Sequence, residues 1–147
     1  MSGIVCAIRG GPGSQPTIAK AITLAKETKL SLHFMYVVNL EFLTQTSSSR
    51  VHAISEEMRE MGEFILLTAQ SAASEQGVTA QGVIRQGKVR EAIVDLCHEM
   101  NADYLVIGRP NVGRENSLFT HELLAKFIEK TEQETGAQVV MPEDNTT

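Results

Sequence analysis

Basic residues recur just after the apolar runs of this sequence: Arg9, Arg85, Lys88, Arg90, Arg109 and Arg114 all follow segments that read as strands. They are six of the thirteen Lys and Arg residues in a chain of net charge −5. A guanidinium group presents planar, paired donors that match phosphate and carboxylate. Gathered at one edge of a sheet, such groups would form a site for an anionic small ligand. The plainer alternative is that loops hold charges because loops are wet. Gly108, Gly113, Asn116 and Ser117 add to the first reading. Glycines let backbone N–H groups approach a phosphate, and a helix starting near Leu118 would add the positive end of its dipole. The same residues also suit a glycine-bearing loop with an Asn or Ser helix cap.

Other chemistries find less support, and no catalytic residue is assigned. Cys97 and His98 are adjacent on a predicted helix, so their side chains diverge by about 100° and cannot pair as nucleophile and base. His33, His52, His98 and His121 show no metal-ligand spacing with one another or with cysteine. His121-Glu122 lacks the second His of a zinc-binding helix. Gly108-x4-Gly113-Arg114-Glu115 lacks the Lys and the Ser or Thr of a P-loop, and Gly11-Pro12-Gly13 lacks the third glycine of a dinucleotide fingerprint. Met58 and Met61 read as packing residues. Glu56, Glu57, Glu60 and Glu63 read as the solvated face of a helix.

Such a site needs elements to hold it, and the chain alternates strand-like and helix-like pieces. Residues 4–8 form a short apolar run closed by Gly10-Gly11-Pro12-Gly13, a buried strand ending in a tight loop. Ser14 fits an N-cap and Pro16 a first helical turn, after which Ile18, Ala21, Ile22 and Ala25 recur at helical spacing. Leu32, Phe34, Tyr36 and Val38 alternate as a second strand. Residues 44–50 read as a polar, serine-rich connection. Val51, Ile54, Met58, Met61, Ile65, Ala69 and Ala72 step by three and four, which predicts a long amphipathic helix ended near Gly77. A third strand is expected over 78–84 and a third helix on Val89, Ala92, Ile93, Leu96 and Met100. Residues 104–107 form a short, wholly apolar fourth strand. A fourth helix over 118–135 is stopped by Gly136, and residues 138–141 form a fifth strand before a frayed tail. The order βαβαβαβαβ implies parallel strands joined by right-handed crossovers. The expected fold is α/β, a doubly wound sheet whose ligands bind outside the carboxyl ends of its strands. Neither repeat nor linker interrupts residues 1–147, so a single domain is expected.

At 147 residues the chain is of ordinary domain size and needs neither disulfide nor metal to fold. Its acidity argues against nucleic acid and anionic membranes as partners. The longest strictly apolar run, Phe64-Ile65-Leu66-Leu67, is far short of a membrane span. No basic and apolar leader precedes Gly3, so no signal peptide is expected. Cys6 and Cys97 sit in apolar runs and read as buried thiols of a reducing compartment, with the cytoplasm as default.

Three segments carry a resemblance to a known family. Ile4-Val5-Cys6-Ala7-Ile8, followed by a small-residue loop and an alanine-rich helix, is similar to the opening of a universal stress protein. Gln86-Gly87-Lys88-Val89-Arg90-Glu91-Ala92-Ile93 is similar to the family's segment after the third strand. Asn101-Ala102-Asp103-Tyr104-Leu105-Val106-Ile107-Gly108 is similar to its fourth strand. The resemblance runs from Ile4 to Met141. It implies a Rossmann-like five-stranded parallel sheet of order 3-2-1-4-5, with helices on both faces and the switch point between the first and fourth strands. It also implies a homodimer formed through the last strand, here Gln138, Val139, Val140 and Met141. Members that bind ATP carry an Asp after the first strand and Gly-x2-Gly-x9-Gly-Ser/Thr after the fourth. This chain has Arg9 in place of the Asp, and Gly108, Asn111, His121 and Glu122 at the other positions, so only the first glycine remains. The implied nucleotide or anion site comprises Ile8, Arg9, Gly10, Val38, Ile107, Gly108, Arg109, Gly113, Arg114, Asn116 and Ser117. ATP or AMP are its candidate ligands, and Mg²⁺ finds no complete protein-held site. Three functions stay open: a non-catalytic binding or regulatory module, an interaction protein with a decayed site, and a slow nucleotide hydrolase.

Overall fold

Strands rich in Ile, Val, Phe and Leu alternate with amphipathic helices, and in the computed structural model the strands pair as one sheet. The structure describes residues 3–9, 14–40, 48–108 and 121–142. The elements in chain order are β1 (Gly3–Ala7), α1 (Gln15–Thr28), β2 (Ser31–Val38), α2 (Ser48–Glu75), β3 (Ala80–Gln86), α3 (Val89–Met100), β4 (Tyr104–Val106), α4 (His121–Thr135) and β5 (Gln138–Val140). The five strands lie in the order β3-β2-β1-β4-β5, all parallel. The expected doubly wound order is therefore present. Gly77 and Gly136 follow α2 and α4 at φ 81° and 73°, left-handed conformations that glycine adopts without strain.

Alternation along β2 divides the core. Leu32, Phe34, Tyr36 and Val38 turn toward α1 and α2, joining Ile4, Cys6, Ala21, Ile22, Ala25, Leu66, Ala69 and Ala73. Met35 turns the other way, with Val5 and Leu105, onto Ile93, Leu96 and Cys97 of α3. Each fully buried Leu, Ile or Phe contributes about 1.5–3 kcal/mol relative to exposure. Among the described residues, no helix is long and apolar enough to cross a membrane.

Three local expectations need correction. The connection expected over 44–50 is helical from Ser48, because α2 begins a turn earlier than its first apolar residue. Residues 41–47 lie outside the described set. The third strand runs two residues later than expected, through Arg85 and Gln86, whose backbones pair with Val37 and Val38. At the sheet edge the strand keeps polar residues that apolarity alone would exclude. On α2 the inward row is Met58, Gly62, Leu66, Ala69 and Ala73, and Met61 is 57% exposed. Gly62 decides this phase. A Cβ there would lie 2.5 Å from the Tyr36 ring, so the backbone of α2 presses on that ring where a side chain could not.

Candidate functional site

The crevice of the sheet can be read from its hydrogen bonds. Cys6 opposite Val106 is the last register pair between β1 and β4 among the described residues. Beyond it, the Ile8 N–H donates to the Met35 carbonyl of β2 at 2.9 Å. The Ile107 N–H donates to the Val140 carbonyl of β5 at 3.0 Å. Each central strand thus keeps its outer neighbour and leaves the inner one. The opening lies where the chain leaves β1 for one face of the sheet and β4 for the other, which is where open α/β sheets bind ligands.

Two sides of this crevice are built from short-range packing. Gly108 ends the β4 side, and a Cβ on it would lie 3.2 Å from Thr17 Oγ1. Thr17 sits in the first turn of α1 and is 2% exposed. Its carbonyl faces Cys6 Sγ at 4.0 Å, a weak thiol contact that ties the start of α1 to the centre of β1. The positive end of the α1 dipole therefore lies close to the switch point. Thr17 was not among the residues singled out from sequence. Its signal was available, since Thr17, Ala21 and Ala25 share one helical row, and a threonine on a row of buried alanines is a polar group held inward.

The sequence-derived residues divide into four groups. Ile107 and Gly108 lie at the end of β4, beside the crevice, and both are partly buried. Arg9, two residues past the end of β1, is exposed at the same end of the sheet. Ile8 and Val38 are 4% and 0% exposed and belong to the core on the α1 and α2 side, so they form packing behind the edge. Gly10, Arg109, Gly113, Arg114, Asn116 and Ser117 lie outside the described residues, as does Asn111.

The broader row of cations is not a single surface. Arg85 is inside β3, and its guanidinium lies 3.1 Å from the Glu99 carboxylate of α3. Arg90 lies 2.8 Å from Glu134 of α4, in the seam between the two helices. Both guanidiniums are thus drawn onto carboxylates rather than left for a ligand. Lys88 precedes α3 beside a shallow open recess of about 170 Å³, lined also by Arg85, Gln86, Gly87, Glu91, Ala92 and Asp95. Two carboxylates stand there with two cations, so the recess has no net preference for an anion. Of the described cations, Arg9 is the one set beside the crevice.

Burial pushes the Cys6 thiol well above its usual range and Cys97 up to about 11, which keeps both protonated and inert. His98 Nε2 contacts the Glu134 carbonyl at the surface rather than Cys97. Among the described residues, no group of three or more His, Cys, Asp or Glu could hold a metal ion.

Residues 1–134 match the universal stress protein family. Among solved structures, the universal stress protein UspA from Lactobacillus plantarum superposes with a TM-score of 0.75 at 12% identity, covering 97% of both chains. A universal stress protein in complex with cAMP gives 0.69 at 20% identity, again over 97% of each chain. The universal stress protein from Archaeoglobus fulgidus in complex with dAMP gives 0.61 at 15% identity, covering 97% of this chain and 98% of that one. No curated protein sequence matches the chain.

Proposed function

The chain belongs to the universal stress protein family, and on that premise we propose that it is a non-catalytic binding and regulatory module whose switch-point crevice takes an anionic small ligand, with ATP or AMP as the leading class. The observation that carries this reading is the parting of β1 and β4 beyond Cys6 and Val106, with Gly108 set against Thr17 at its rim. Structures of similar fold hold cAMP and dAMP, which supports an adenine nucleotide here. Arg9 stands where ATP-binding relatives place an acid, so phosphate rather than ribose is its natural contact. Two buried free thiols favour a reducing, cytoplasmic setting.

Thermal unfolding tests the site. A ligand at about a hundred times its dissociation constant adds about 2.7 kcal/mol to stability, worth roughly 5–10 °C for a domain of this size. ATP, AMP or phosphate should therefore raise the melting temperature above that in chloride of matched ionic strength, and Arg9→Asp should reduce the response to phosphate. Identical melting in all four solutions would sink the anion-site reading.

That outcome would favour a second reading, a dimeric interaction protein with a decayed nucleotide site. Its support is that Arg85 and Arg90 are already held by Glu99 and Glu134. The surface for such a dimer is β5, which pairs only with β4 among the described strands. The Glu132 carboxylate accepts the Val139 N–H at 2.9 Å, so pairing through β5 exchanges that bond for one to a second copy.

A further inference from the structure

Four large apolar side chains are markedly exposed among the described residues, and three of them lie within two turns of α2: Met61 at 57%, Phe64 at 71% and Leu67 at 63%. A slight roll of the helix cannot hide them. On the inward side, Gly62 presses on the Tyr36 ring, and a Cβ on Gly82 of β3 would lie 3.2 Å from Leu66 Cβ. The Gln70 side-chain amide also donates to the Ala80 carbonyl at 3.0 Å. The rotation of α2 is fixed by shape and by this bond, so among the described residues the apolar stripe faces outward.

We propose that the stripe is a self-docking surface, on which two copies pack α2 against α2, antiparallel, about a two-fold axis through Phe64. An interface between identical copies about a two-fold must be complementary to itself, and this one is. Antiparallel pairing about Phe64 sets Met61 of each copy on the partner's Leu67. It also sets Glu60 opposite the partner's Thr68 and Glu57 opposite the partner's Ser71. The charges of the helix also favour this direction, because it keeps the acidic residues of the two copies apart. Residues 48–63 include Arg50, Glu56, Glu57, Arg59, Glu60 and Glu63, whereas residues 65–74 carry no charge at all. Each copy therefore lays its acidic half against the uncharged, hydroxyl-bearing half of the other. Parallel pairing would instead set Glu57 and Glu60 against their own copies, which costs energy. Antiparallel helix dipoles add a further preference.

The contact is short, so it falls in the small class of interface, below about 1,200 Å², where association is weak and seen at high protein concentration. It is separate from pairing through β5, and one set of experiments distinguishes them. Sedimentation across a concentration series measures the mass of the original chain, of Phe64→Glu and of Val140→Pro. Phe64→Glu would bury two carboxylates at the axis and should weaken the α2 association by at least about tenfold. Val140→Pro should leave that step unchanged. Cross-linking gives the direction of pairing, because Cys6 and Cys97 are buried and unreactive. A mixture of Met61→Cys and Leu67→Cys chains, joined by a short bis-maleimide, should give a crosslinked dimer in higher yield than either chain alone. An unchanged mass for Phe64→Glu overturns the proposal and assigns the stripe to a different partner. Self-linking of Met61→Cys as efficient as its linking to Leu67→Cys overturns it equally.

Discussion

Phe34 and Met35 are neighbours on β2 and both are 0% exposed, yet they enter two apolar layers with different surroundings. Phe34 meets α1 and α2, where backbone approaches ring and strand without intervening side chains: Gly62 against Tyr36, Gly82 against Leu66. Met35 meets the α3 and α4 side, where polar contacts stitch the elements together. Arg90 pairs with Glu134, Glu132 receives the Val139 N–H, and the His98 ring contacts the Glu134 carbonyl. His33 also faces that side, and its buried Nδ1 has no hydrogen-bond partner among the described residues. Both layers have an apolar core; the first is tightened by close backbone approach, and the second carries at its rim polar groups whose strength depends on solution conditions. An added volume should therefore cost most in the first layer, and salt or acid should act, more weakly, on the rim of the second.

The largest effect should come from Gly62→Ala. The new methyl group must displace the Tyr36 ring, and overpacking of this kind costs about 1–3 kcal/mol. Better helix propensity returns up to about 1 kcal/mol, leaving a net loss that urea unfolding would resolve. Glu60→Ala, on the outer side of the same helix, should be near neutral. Adding Tyr36→Leu to Gly62→Ala should recover part of the loss, since contacting residues are not additive. Additive losses would mean that shape does not fix this layer.

A smaller effect is expected from Arg90→Ala. The pair is 38% and 35% exposed, so solvent screens it. About 0.2–1 kcal/mol should be lost at low ionic strength, with the difference from the original chain fading in about 1 M salt. A loss independent of salt would mean that the arginine stem packs the α3–α4 seam by shape after all.

The smallest effect should follow from His33. Burial lowers its affinity for a proton below the usual value near 6.5. As pH falls through that value, the unfolded chain takes up a proton that the folded chain still refuses, so folding stability declines on acidification. The decline levels off once the folded histidine titrates as well. In His33→Gln, the difference in stability between about pH 5 and pH 7.5 should shrink. If the two proteins show the same acid profile, the buried imidazole plays no part in it.

Element order was legible in the sequence because β1, β2, β4 and β5 centre on apolar runs and α1 declares its inward row; α3 does so apart from Val89, which is 42% exposed, and α2 is the clearer exception. The exception is instructive. Counting apolar residues put Met61 inside and passed over Gly62, because absence of a side chain leaves no mark on a hydrophobic pattern. The β3 boundaries slipped for a related reason: an edge strand carries Gln81, Arg85 and Gln86 without penalty. At the site, the glycine at 108 was legible from its place after an apolar strand. Thr17 was legible only as a polar group on the buried row of α1; its place at the rim depends on its approach to Gly108, about ninety positions away. The pairing of Arg85 and Arg90 was equally hidden, since both carboxylate partners lie on other elements.

The parallel arrangement of the strands also orders events during synthesis. Ile4 pairs with Leu32 on one side and with Tyr104 on the other, so one edge of β1 finds its partner about a hundred residues after β1 is made. At ribosomal rates that delay is roughly 5–20 s. The unit β1-α1-β2-α2-β3 can assemble first, since its connections are shorter. Meanwhile the free edge of β1 presents open N–H and C=O groups to any passing strand. The edge that in the finished protein borders the crevice is the one a nascent chain must guard longest.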